Sequence, residues 1–122
     1  MRAPHILLVE DSPLVSDALR VLFEETGHRV TLASNAAEAI EAASVNSPDV
    51  MLLDLGLPDA DGLTVLDALT ERGLAPRRTI ALTGTDDDET TRRCKTAGCH
   101  EVLLKPVSPR ELLRKVGEWT RA

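Results

Sequence analysis

Two hydrophobic periods alternate along this chain, and that alternation limits the folds open to it. Short β-rich runs lie at His5–Val9, Arg29–Ala33, Val50–Asp54, 79–83 and Glu101–Leu104. Between and after them come segments with helical spacing. The first helix is expected over 13–26. Ser12 suits the N-cap, Pro13 suits the first turn, and Gly27 ends it. Val15, Ala18, Leu19, Leu22 and Phe23 repeat at i, i+3, i+4, i+7 and i+8. A second helix starts near Asn35, with Ala36, Ala39, Ile40 and Ala43 on one face, and stops before Pro48. A third covers 61–72 and buries Val65, Leu66 and Leu69. A weakly amphipathic fourth covers 87–96 and stops at Gly98. A fifth, Pro109–Thr120, presents Leu112, Leu113, Val116 and Trp119.

The runs "ILLV" and "VMLL" are continuously apolar. Strands of that kind are covered on both faces, as in a parallel sheet with helices on either side. Right-handed crossovers then give an α/β, doubly wound, open sheet of five parallel strands with five helices. A closed barrel needs more strands than 122 residues supply here. Residues 1–122 are read as one domain with one core.

In such a sheet the ligand site lies at the carboxyl ends of the strands. Glu10 and Asp11 follow the first strand, Asp54 ends the third, Thr83 ends the fourth, and Lys105 and Pro106 follow the fifth. Parallel strands bring these ends to one edge. Three carboxylates, a hydroxyl and an ammonium then converge from distant positions. Two carboxylates ~4 Å apart repel by roughly 4 kcal/mol at an effective dielectric of 20. A bound cation or a retained proton relieves this. Oxygen ligands with room for water suit Mg²⁺, and a lysine beside them suits a phosphate. Together these are the parts needed to accept a phosphoryl group.

The segments "ILLVEDSP", "MLLDLGLPDADG", "ALTG" and "LLKPVSPREL" resemble, in order and spacing, the receiver domain of two-component response regulators. The resemblance spans essentially the whole chain and implies the flavodoxin-like strand order 2-1-3-4-5. It implies Asp54 as the phosphoacceptor, attacking a phosphohistidine in line. Glu10 and Asp11 match the acidic pair that holds Mg²⁺ with Asp54, Asp11 directly and Glu10 through water, and Gly56 matches a position whose backbone carbonyl reaches the metal. Thr83 matches the switch hydroxyl, Lys105 the phosphate-contacting lysine, and Pro106 a proline that often follows a cis bond. One position departs from the pattern. Val102 stands where receivers commonly carry Tyr or Phe, so the ring that usually fills the space left by the moving hydroxyl is missing. Gly84, after Thr83, is smaller than the frequent alanine.

The implied function is a relay module that catalyses only its own phosphorylation and dephosphorylation. Its expected partners are a histidine kinase or histidine phosphotransfer protein and a downstream protein target. The net charge of −6 disfavours direct contact with nucleic acid. No apolar run reaches the ~18 residues of a membrane span, and the N-terminus lacks the features of a signal peptide, so a cytoplasmic location is expected. Three other readings compete. Phosphorylation-independent docking as a pseudo-receiver is kept open by Val102. A segment of a hybrid histidine kinase competes with a stand-alone protein, which the Met1 start favours. Aspartyl-phosphate phosphatases commonly carry a second acid two residues after the nucleophile, and Gly56 there argues against that class. Cys94 and Cys99, a C-x4-C pair beside His100, are read as half-buried thiols rather than a zinc site. His5, His28 and His100 are read as surface or strand-edge residues. Asp86 to Glu89 is read as a solvated helix start.

Overall fold

A computed structural model describes residues 3–120. Strands β1 (His5–Val9), β2 (Arg29–Ala33), β3 (Val50–Asp54), β4 (Arg78–Thr83) and β5 (Glu101–Leu104) alternate with helices α1 (Pro13–Glu25), α2 (Ala36–Val45), α3 (Leu63–Glu71), α4 (Asp88–Ala97) and α5 (Pro109–Thr120). The strands form one parallel sheet in the order β2-β1-β3-β4-β5. No helix among the described residues is long and apolar enough to cross a membrane.

Alternation along each strand divides the core into two layers. Ile6, Leu8, Val50, Leu52, Ile80 and Leu82 pack with residues of α1 and α5, including Phe23, Leu112 and Val116. Leu7, Val9, Met51, Leu53 and Ala81 pack with α2, α3 and α4. Each central strand is therefore apolar on both sides, which explains the uninterrupted runs. Full burial of one such Leu is worth about 1.5–3 kcal/mol.

Several local expectations change. Ser12 is the N-cap of α1, but its side chain makes no capping bond. Its N–H donates instead to a Glu10 carboxylate oxygen at 3.3 Å. Val15 and Ala18 are exposed, and only Ser16, Leu19 and Phe23 of α1 are buried. The helix begins at the carboxyl edge of the sheet, and Val15 and Ala18 in its first turns are not covered by a neighbouring element. They line an open cavity of about 640 Å³ with Pro106 and Leu112. His5 is buried because β1 lies inside the sheet, and its Nε2 lies 2.7 Å from the Thr31 hydroxyl. Cys94 and Cys99 are also buried rather than half-buried. Their position follows from the end of α4. Gly98 adopts φ 106°, the Cys99 N–H donates to Cys94 O at 2.9 Å, and the Gly98 N–H to Lys95 O at 3.1 Å. This αL ending turns the chain back on itself and sets the two thiols in the same apolar layer. Burial raises both thiol pKa values, that of Cys99 to about 12, which keeps them protonated and unreactive.

The third helix starts two residues later than expected, because 59–62 form a pinned loop. Gly56 and Asp61 make an isolated antiparallel bridge. Asp59 accepts the N–H groups of Ala36 at 2.8 Å and Ala37 at 3.1 Å, at the start of α2. Asp61 accepts the Leu63 N–H at 3.0 Å and pairs with Arg93 of α4.

Candidate functional site

Register explains why the site residues meet. Val9 pairs with Leu53, so Glu10 and Asp54 leave the sheet side by side. Asp54 pairs with Leu82 and Thr83 with Leu104, which places Thr83 and Lys105 one step further along the same edge. Glu10, Asp54 and Thr83 are buried, whereas Asp11 is exposed.

The Lys105 ammonium lies 2.8 Å from Asp54 Oδ2 and 3.4 Å from Glu10 Oε1. The other Asp54 oxygen, Oδ1, accepts the Gly56 N–H at 2.9 Å. Burial works against the Asp54 carboxylate, yet the Lys105 ammonium and the hydrogen bonds to it hold its pKa below the ordinary value. Glu10 goes the other way. Burial first, and then the neighbouring Asp54, raise its pKa. Burial likewise works against the Lys105 ammonium, but Asp54 and Glu10 raise its pKa and keep it charged. One carboxylate of the pair is thus kept ionised, while the other holds its proton more readily.

Glu10, Asp11 and Asp54 each offer an oxygen, and these oxygens lie within 4.8 Å of one another. Of these three carboxylates only Glu10 and Asp54 pair with Lys105, so the charge of the cluster is under-compensated. The donor set is all oxygen, and one member is open to solvent and to coordinated water. It fits a hard divalent cation such as Mg²⁺.

The remaining expected residues fall around this centre. The Thr83 hydroxyl accepts the Thr85 N–H at 3.2 Å and lies 3.5 Å from the Thr85 hydroxyl. It faces its own loop. The Lys105–Pro106 peptide bond is cis. Val102 pairs with Ala81 and is half-buried against the layer beneath α4. Gly56 needs no bare backbone on steric grounds, since a Cβ there would lie 3.7 Å from Asp54 Oδ1. The glycine that the site does require is Gly62. A Cβ there would collide with the Asp54 carbonyl oxygen and lie 2.8 Å from Leu55 Cα.

Arg93 and Asp61 escaped sequence reasoning. With Thr90, they join Asp54, Thr83 and Lys105 in lining one open cavity of about 460 Å³. Asp61 looked like one acid in a turn, and Arg93 lies on a polar helix of which only Cys94 is buried. Only their pairing across elements marks them, and no spacing in the sequence encodes it.

Five parallel strands in this order, with an acidic cluster and a lysine at their carboxyl edge, define a flavodoxin-like signalling module. Residues 6–117 match the family model described as "Response regulator receiver domain". The chain belongs to that family, the receiver domains of two-component systems. It is 35% identical to the transcriptional regulatory protein KdpE of Mycobacterium tuberculosis over 91% of this chain and 48% of that protein. The chain thus spans about half the length of this relative or less than that of some others it matches. A CheY-like response regulator receiver domain from Methanospirillum hungatei superposes with a TM-score of 0.86 at 30% identity, over 95% of this chain and 92% of that one. The receiver domain of the sensor histidine kinase PA1611 from Pseudomonas aeruginosa gives 0.82 at 30% identity, over 97% and 98%. In that structure a magnesium ion is coordinated in the active-site cleft.

Proposed function

We propose that Asp54 accepts a phosphoryl group from the phosphohistidine of a kinase or histidine phosphotransfer protein, and that the modified state regulates protein contacts. The observation that carries this is the buried Asp54 carboxylate, kept ionised by Lys105 and set beside two further acids. An Asp54 oxygen attacks phosphorus as the P–N bond to the donor imidazole breaks, and the bonding pair returns to the ring nitrogen. The carboxylates of Glu10, Asp11 and Asp54, together with the Gly56 carbonyl, would hold Mg²⁺, Asp11 directly and Glu10 through water. When bound, the ion neutralises charge on the phosphoryl oxygens. Lys105 binds those oxygens from within the pocket. Thr83 gives up its contact with Thr85 and turns its hydroxyl toward them. Gly62 keeps the loop after Asp54 tight, and Asp59 and Asp61 anchor it to α2 and α4.

The protein acts as a relay rather than a turnover enzyme, and it works in the cytoplasm. Incubation with acetyl phosphate and Mg²⁺, followed by intact mass measurement, tests the reading. One phosphoryl adduct is expected on the wild type, with none on Asp54→Asn and none after the metal is chelated. A wild type that stays unmodified with Mg²⁺ present would instead make the protein a docking module that phosphorylation does not control.

A further inference from the structure

The cavity around Asp54 has a second basic residue that the chemistry above leaves unused. Arg93 enters it from α4, and its guanidinium is paired with Asp61. Asp61 does not depend on that partner alone, because it also accepts the Leu63 N–H. Lys105, in contrast, is already shared between Asp54 and Glu10. A phosphoryl group on Asp54 carries up to two negative charges in place of the carboxylate's one, and it sets three strong acceptor oxygens further into this space. A guanidinium fork matches such oxygens in pairs, which an ammonium cannot do. The Arg93 side chain is 50% exposed, so its guanidinium has open space on one side into which it can turn.

A second observation ties the same helix to Thr83. The Thr85 hydroxyl lies 3.5 Å from that of Thr83 and 3.4 Å from that of Thr90. Thr90 sits in the first turn of α4, where its N–H donates to the Asp87 cap at 2.7 Å. Two connections therefore run from the cavity to α4, one through hydroxyls and one through an ion pair. At position 102, where a ring would otherwise respond, a valine is packed against the core.

We propose that Arg93 is a second phosphate-binding cation of this site, held by Asp61 while Asp54 is free and transferred to the phosphoryl group when Asp54 is modified, so that α4 registers the change of state. The transfer rests on Asp54 being the acceptor. It breaks the tie between the 59–62 loop and α4 just as Thr83 leaves Thr85, and both changes act on the same helix.

The test treats wild type, Arg93→Gln, Arg93→Lys and Asp61→Asn with acetyl phosphate and Mg²⁺. Intact mass follows the adduct, and amide exchange read by mass spectrometry follows α4. In the wild type, α4 exchange changes as the adduct forms. Arg93→Gln is expected to need about tenfold more acetyl phosphate for half-modification, the scale of one lost charge-assisted contact, and its α4 response falls to the part carried by the hydroxyls. Arg93→Lys recovers part of the donor dependence but not the full α4 response. Asp61→Asn shows altered α4 exchange before any donor is added. Wild-type donor dependence and α4 response in Arg93→Gln would overturn the transfer while leaving Asp54 as acceptor. No adduct on the wild type would remove both.

Discussion

Gly56 and Gly62 bracket the loop after Asp54 and look interchangeable as turn residues. Their surroundings separate them. A side chain at Gly62 meets the backbone of Asp54 and Leu55, and neither can move without displacing the Asp54 carboxylate. A side chain at Gly56 meets only ordinary contact distance. Gly62→Ala is therefore expected to destabilise the fold by about 1–3 kcal/mol, as overpacking does, and Gly56→Ala by distinctly less. Urea denaturation of both variants measures the difference, and equal losses would contradict the close approach described at Gly62. Glu10 shows the same dependence on neighbours. Beside Asp11 in the sequence it reads as half of an acidic pair, but burial and Asp54 give it a different protonation preference from an ordinary surface glutamate.

At the scale of elements, the acidic stretch "DADG" divides its labour. Asp59 serves the start of α2 and Asp61 reaches α4. The two N–H groups from α2 lower the Asp59 pKa below its ordinary 3.8, the Ala36 N–H contributing most. A carboxyl whose pKa falls on folding stabilises the native state above its unfolded pKa, and that contribution fades as the pH drops through the folded value. Asp59→Ala is expected to lower the urea midpoint near neutral pH. The gap from the wild type should close at pH values below 3.8. A gap that persists unchanged in acid would mean the loss is not electrostatic. The strands and helices themselves were legible in the sequence because each obeys a strong local rule. The uninterrupted "VMLL" reported a strand covered on both faces, and Val65, Leu66 and Leu69 reported the inner side of α3. Val15 and Ala18 misled because periodicity records which side of a helix is apolar, and not whether another element covers it.

For the whole molecule, the sheet order does the assembling. Residues from three adjacent strands reach one edge because β1, β3 and β4 are neighbours, and β5 adds Lys105. This much could be read from the strand-end residues, since a parallel sheet leaves them no other place. The ion pair of Asp61 with Arg93 and the hydroxyls of Thr83, Thr85 and Thr90 could not be read that way. They depend on how α4 lies against the edge, which register does not specify. Whether this edge makes Asp54 a phosphoacceptor is decided by trapping the product. After treatment with acetyl phosphate and Mg²⁺, borohydride reduces an aspartyl phosphate to homoserine, which peptide sequencing by mass spectrometry can locate. Homoserine is expected at position 54 alone, and only when donor and Mg²⁺ are both present; that outcome makes Asp54 the acceptor. Homoserine at Asp11 or another acid with Asp54 intact, or none at all, would contradict it.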